Sequence, residues 1–341
     1  MVTESNPIQE PSQPGGKAGL VRSGLLYSTI VIVLPLLLIA AAFPLAKTSW
    51  FLTHDKYPWL MGLGYGRSLV HADCDVVVFG DSSALSSIDP RIVGPMTHMK
   101  TCNIADTGPV RVLSETRTLD VYLSQNARPK YVVFMYSPWA FHAYDKTWDT
   151  EPSPIEGIAY TLFFDSGPHA ASIFLRHLKQ SFEFVSWVGQ ASLHGALKVV
   201  FHIHSDERIQ DLRALRNSTN GYYPFEPPGK TACSAADEMS HVEPVPDPAW
   251  ATRLHQSYSA KADHVLLDLA PMPSCDPLAL KAQQRLSGAA DNELVLLPVS
   301  LFSSENPHPT TDGAKIASRA LGEQIMAIEQ RQASKTGSIE K

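Results

Sequence analysis

Clustered basic residues are what this sequence most clearly lacks. Its 28 lysines and arginines are outnumbered by 34 acidic residues and form no run or stripe. At a net charge of −6 the chain has no electrostatic footprint of a nucleic-acid binder, and no nucleic-acid partner is expected. Metal-ligand spacing is missing as well: His202 and His204 stand close together with no third ligand at a suggestive distance, so neither a metal nor another cofactor is expected. The 26 prolines and 20 glycines imply many loops but show no repeat period. No glycine-rich stretch follows the first predicted strand, which removes the cradle a phosphorylated ligand needs.

What remains is a globular composition, 18% charged and 44% hydrophobic over 341 residues, enough for one large domain or two small ones. Residues 1–19 are rich in Pro, Gly, Ser and Gln and too polar for a core, so a disordered tail is expected over 1–22. From 23 to 46 no residue is charged. The stretch 25–45 is almost wholly apolar and long enough to cross a hydrocarbon layer of ~30 Å as a helix, with Pro35 a kink site. It reads as a retained single-pass anchor, or as a signal peptide cleaved near Ala40–Ala42; its length favours the anchor. Lys17 and Arg22 before it are balanced by Lys47, Lys56 and Arg67 after it, so charge does not set the orientation. A connector over 47–72 carries Trp50, Phe51, Tyr57 and Trp59, suited to the headgroup level or to packing on the domain that follows.

Beyond it, short apolar runs alternate with amphipathic ones, the pattern of an α/β domain with a central parallel sheet. Strands are expected at 75–79, 102–104, 131–136, 264–269 and 294–298. Helices are expected at 91–98, 110–123, 247–262, 277–286 and 313–330, several opened by Asp-Pro, an N-cap followed by proline at the first helical position. Residues 141–246 break the alternation with helical, apolar segments (158–164, 171–178, 182–203) and a loop at 217–229, and read as an insertion. The tail 333–341 should fray. Four cysteines all follow the apolar run. Cys74 and Cys102 open the first two strands, so if these are neighbours the pair is close enough to bridge; two buried free thiols are the alternative. Cys233 and Cys275 are placed to staple the insertion to the loop after the fourth strand.

Two stretches carry chemistry. In Val76-Val77-Val78-Phe79-Gly80-Asp81-Ser82-Ser83 a buried strand runs into a Gly-Asp-Ser turn, and open α/β sheets place ligands at the carboxyl ends of their strands. Far downstream, in Glu305-Asn306-Pro307-His308-Pro309-Thr310-Thr311-Asp312-Gly313, an acid and a histidine stand three residues apart just before a helix. That spacing lets the carboxylate orient an imidazole toward a nucleophile. Read singly, the first is an ordinary strand exit, His308 a loop histidine and Gly108 a turn glycine. Read together, the stretches resemble the SGNH (GDSL-type) hydrolase family, over residues 76 to about 321.

The resemblance implies a flavodoxin-like, three-layer SGNH domain over 73–332, with the helical insertion covering its catalytic face. It implies Ser82 as nucleophile, His308 as base and Glu305 as the orienting acid, where the family normally has Asp. The oxyanion donors would be the Ser82 N–H and Gly108, in the block Asn103-Ile104-Ala105-Asp106-Thr107-Gly108. The family's third block departs: Ser137-Pro138-Trp139-Ala140 stands where Gly-x-Asn-Asp is usual, which leaves Ser137 or backbone donors for the asparagine's role. Asp81 reads as a structural member of the turn, and Asp312 as a helix cap. The implied activity is an esterase or O-acyltransferase acting through an acyl-serine, in a domain outside the cytoplasm. Its expected partners are an ester-bearing small molecule or carbohydrate, the membrane through one helix, and envelope polysaccharide machinery. The missing asparagine also fits a non-catalytic glycan-binding or assembly scaffold.

Overall fold

Parallel strands covered on both faces cannot alternate polar with apolar residues, and the runs without such alternation are the strands of this protein. The computed structural model describes residues 64–106, 116–141, 216–224, 248–303 and 308–339, with scattered helical positions in 26–41 and 172–197. β1 (Val76–Gly80), β2 (Thr101–Asn103), β3 (Tyr131–Tyr136) and β4 (His264–Leu269) form one parallel sheet in the order β2-β1-β3-β4. The register sets Gly80 opposite Met135 and Met135 opposite Asp268. This order reverses its winding between β1 and β3, the point where doubly wound sheets open a crevice.

Around this sheet the described residues place helices α1 (Ser82–Ser87), α2 (Pro90–Thr97), α3 (Arg117–Gln125), α4 (Pro248–Tyr258), α5 (Pro277–Leu286) and α6 (Thr311–Ile339). Side chains alternate across the strands. On one face Val76, Val78, Val133 and Met135 pack with Ala84 and Leu85 of α1, Val93 of α2, and Ala317, Leu321 and Ile325 of α6. On the other, Val77, Phe79, Val132 and Phe134 pack with α3, α4 and α5 through Leu119, Tyr122, Leu254, Tyr258, Ala282 and Leu286. Each such buried Val, Leu or Phe contributes roughly 1.5–3 kcal/mol. The protein is therefore a mixed α/β domain with a central parallel sheet and helices on both faces.

α6 runs against the strands. Its Glu329 accepts from the Tyr131 hydroxyl at the amino end of β3, and its Gln324 amide donates to Asp268 Oδ1 near the carboxyl end of β4, 3.1 Å away. The amino end of α6 thus lies at the carboxyl edge of the sheet. Ser318 ties α6 to α1: its hydroxyl donates to the Ser87 carbonyl at 3.2 Å and accepts from the Asp89 N–H at 2.8 Å.

Among the described residues, both edges of this sheet are bonded by loop groups rather than by further strands. Along β4, the Leu267 and Leu269 N–H groups each donate over 2.7 Å to the side chains of Asp291 and Asn292, and the Asn292 amide returns a bond to the Leu269 carbonyl at 3.0 Å. On β2, the Asn103 N–H donates to the Asn220 carbonyl at 2.9 Å. Gly221 beside it has φ 102°, and a Cβ there would lie 1.7 Å from the Asn103 carbonyl oxygen, so the segment seats only with glycine.

The expected last strand at 294–298 is corrected by this edge. Asp291 and Asn292 occupy the side of β4 that a fifth strand would take, so only Leu296–Leu297 (β6) is extended, and it pairs with Met272–Pro273 (β5) in a separate two-stranded sheet. Helix α6 continues to Ile339, through most of the segment expected to fray. Cys74 and Cys102 form a disulfide, with Cα atoms 6.0 Å apart. Cys275 is also disulfide-bonded, and Cys233 lies outside the described residues.

Of the expected anchor at 23–46, residues 26–31, 33–34, 37 and 41 are helical and exposed. Among the described residues no helix is long and apolar enough to cross a membrane; the rest of that stretch lies outside them. Within the expected insertion at 141–246, the described residues from 172 to 197 are helical, and residues 216–221 form a helical turn where a loop was expected. His202, His204 and the expected helix at 158–164 lie outside the described residues.

Candidate active site

β1 ends at Gly80 because nothing larger fits. A Cβ there would sit 1.8 Å from the Met135 carbonyl oxygen of β3. The Gly80 carbonyl accepts from the Asp106 N–H at 3.0 Å, which draws the chain beyond β2 alongside the turn. Asp81 follows as the N-cap of α1. Its Oδ1 accepts from the Ser83 N–H at 2.9 Å, and its Oδ2 accepts from the Ser137 N–H at 3.1 Å and the Ser137 hydroxyl at 2.8 Å. One buried carboxylate therefore joins the exits of β1 and β3 across the crevice. Ser137 cannot replace the missing asparagine as a free side-chain donor, since its hydroxyl is committed to Asp81.

Ser82 is the first residue of α1, half-buried at this crevice. Its N–H finds no acceptor among the described residues, as expected of a first-turn amide. Its carbonyl accepts from the Ser86 hydroxyl at 3.0 Å, and Ser87 bonds back to the Ser83 carbonyl at 2.5 Å. α1 is thus held by its own serines as well as by Asp81.

His308 is half-buried, three residues before α6. A short closure fixes its backbone: Ser303 N–H donates to the His308 carbonyl at 2.9 Å, Thr310 N–H to the Leu301 carbonyl at 2.8 Å, and Phe302 bridges Pro309 in antiparallel fashion. Gly313 permits this, since a Cβ there would stand 2.7 Å from the Leu301 carbonyl oxygen. Because α6 packs on α1 with its amino end at the carboxyl edge, Ser82 and His308 come to the same rim, on the same face of the sheet. Their side chains are not hydrogen-bonded to each other in this structure. Glu305 and Gly108 lie outside the described residues. Asp312, exposed in the first turn of α6, holds Lys315 at 2.7 Å.

Sequence reasoning missed a buried polar group beside the crevice. The Asp106 carboxyl, wholly buried, is pushed up to about 7 by desolvation, a rise held down by the Thr118 hydroxyl and the Arg216 guanidinium. Thr118 Oγ1 faces the carboxylate without closing a geometrically sound hydrogen bond. Arg216 comes from the insertion and is 3% exposed; it donates to the Ala105 carbonyl at 3.2 Å and stacks over the Tyr65 ring, 4.5 Å from its centroid. Burial lowers Arg216 to about 10 and raises Tyr65 to about 12. The only signal for this cluster was the acid in the second block, since an isolated arginine inside an irregular insertion carries none.

Chemically, the rim offers a serine hydroxyl at the end of the central strand, the first-turn amide of the same residue, and an imidazole on the neighbouring helix entry. Among the described residues no cluster of His, Cys, Asp or Glu is arranged to hold a metal ion. In comparisons with known proteins, no family model, no curated protein and no solved structure matches the chain.

Proposed function

We propose that this protein is a serine esterase or O-acyltransferase with a flavodoxin-like, SGNH-type domain. The observation that supports the reading is that Ser82 opens α1 at the carboxyl end of β1, where the winding reverses, while His308 stands three residues before α6, the helix packed on α1. His308, oriented by Glu305, takes the Ser82 proton as Ser82 attacks an ester carbonyl, and the oxyanion is met by the Ser82 N–H and Gly108. His308 then protonates the leaving alkoxide, and water or a sugar hydroxyl resolves the acyl-serine. Acetyl esters of envelope or secreted carbohydrate are the proposed substrates. The run at 23–46 serves as a single-pass anchor, which the exposure of Leu26, Tyr27, Ile30 and Leu37 supports. The Cys74–Cys102 disulfide supports an oxidising, extracytoplasmic setting.

A second reading, a non-catalytic glycan-binding or assembly scaffold, is favoured by two observations: the third block lacks its asparagine, and the Ser82 and His308 side chains are not hydrogen-bonded to each other. A fluorophosphonate probe on the detergent-solubilised chain separates the two. Labelling that disappears in Ser82→Ala and falls in His308→Ala is the expected result; an unlabelled wild type, folded by circular dichroism, leaves the scaffold.

A further inference from the structure

Between β4 and α6 lies a cavity of about 430 Å³ whose polar lining comes from Asp268, Asp291, Asn292, Glu293, Glu323 and Gln324. Four of these six are acidic, and no lysine, arginine or histidine lines it. Asp291 and Asn292 are partly spent on closing the β4 edge, and His255 approaches Asp291 from outside the lining, 3.4 Å away. Asp268 differs from the rest. It is 0% exposed; its Oδ1 accepts from the Gln324 amide, and its Oδ2 is buried with no hydrogen-bond partner among the described residues. A carboxylate oxygen in that condition costs stability unless something supplies a donor. Leu269, Leu294, Leu321 and Met135 give the remaining wall an apolar surface.

We infer that this cavity is a binding site for a small organic cation, a primary ammonium on an aliphatic stem, with the ammonium on Asp268 Oδ2 and the stem against Leu294 and Leu321. A bare metal ion does not suit it, because the described acids form no ligand cluster and the volume fits a molecule rather than an ion. Glu293 and Glu323 at the exposed rim suit a second cationic group, so a diamine fills it best. Desolvation raises the Asp268 carboxyl to about 7, a rise held down by its Gln324 bond and reinforced by Asp291. An arriving ammonium therefore displaces a proton, and binding strengthens as pH rises through that value. The titratable groups facing Asp268 are Asp291 and Glu293 from the loop and Glu323 from α6, with His255 of α4 behind Asp291. The inference is independent of the serine chemistry.

The test is calorimetric titration of the full-length chain in detergent with 1,4-diaminobutane, and with 1,4-butanediol as the neutral isostere. Saturable diamine binding with proton release near neutral pH, weakened about tenfold or more in Asp268→Asn, is expected. Ala320→Trp, which fills the cavity from α6 and leaves Asp268 in place, should abolish it and guards against a folding effect of the first variant. No saturable binding up to about 10 mM overturns the inference, as does equal binding of the diol or unchanged affinity in both variants.

Discussion

Removing the Asp81 carboxylate breaks three buried hydrogen bonds at the crevice, and its bond to Ser137 makes the cost separable. In Asp81→Ala three donors lose their acceptor: the Ser83 N–H, the Ser137 N–H and the Ser137 hydroxyl, on residues that are each 2% exposed. Buried, stranded donors cost about 1–3 kcal/mol each, and the hydroxyl recovers part by rotating, so the total is roughly 3–5 kcal/mol. Ser137→Ala deletes one hydroxyl bond to a carboxylate, about 1.5–3 kcal/mol. The double variant should be less destabilised than the sum of the two, by about 1–3 kcal/mol, since the shared bond is lost only once. Urea unfolding of all four proteins under one detergent condition, followed by far-ultraviolet circular dichroism, measures the cycle. Additivity within about 0.5 kcal/mol, or an Asp81→Ala cost under about 1 kcal/mol, refutes the claim that this carboxylate couples the two strand exits.

Three more outcomes follow from the same coordinates. Asp106 and Asp268 rise from 3.8 to about 7 on folding, so the native state holds protons that the unfolded state releases. Their stabilising contribution is complete below pH 3.8 and is lost as pH rises through about 7, by at most about 4 kcal/mol each; Asp106→Asn should flatten the decline measured by urea unfolding at pH 5 and 8. The Cys74–Cys102 bond spans a sequence separation of 28, and its replacement by two serines should lower unfolding free energy by about 3–4 kcal/mol in denaturant melts. Gly80→Ala, whose Cβ meets the Met135 carbonyl oxygen at 1.8 Å, should cost more than about 4 kcal/mol and be seen as loss of soluble folded protein; a melt within about 1 kcal/mol of wild type would show that the strands can part there.

The parts of the fold visible in the sequence were those set by local signals. β3 and β4 occupy the expected 131–136 and 264–269, because a strand buried on both faces announces itself as an unbroken apolar run. Asp89-Pro90 and Asp276-Pro277 marked helix starts since capping and proline geometry are decided within a few residues. What depends on partners far along the chain was illegible. The strand expected at 294–298 is consistent with its composition, but Asp291 and Asn292 had already taken the edge it would have joined. Apolar spacing stops short of the end of α6, so the expected boundary at 330 followed burial, whereas the backbone continues on propensity alone. At the site, the Gly-Asp-Ser turn and the histidine were readable as motifs. That Asp81 would spend one oxygen on Ser137 required knowing that β1 and β3 are neighbours in a register pairing Gly80 with Met135.

The closure of the sheet by Asp291, Asn292 and the turn at 216–221 bears on how this protein meets others. Exposed strand margins are where chains add to one another, as ordered fibrils or as extended peptides clipped onto a host. Here the Leu267, Leu269 and Asn103 amides are already taken, so a visiting peptide finds little ladder to extend. Among the described residues the four-stranded sheet thus leaves little for β-augmentation, and loosening the Gly221 turn is the substitution that should bring self-association with it.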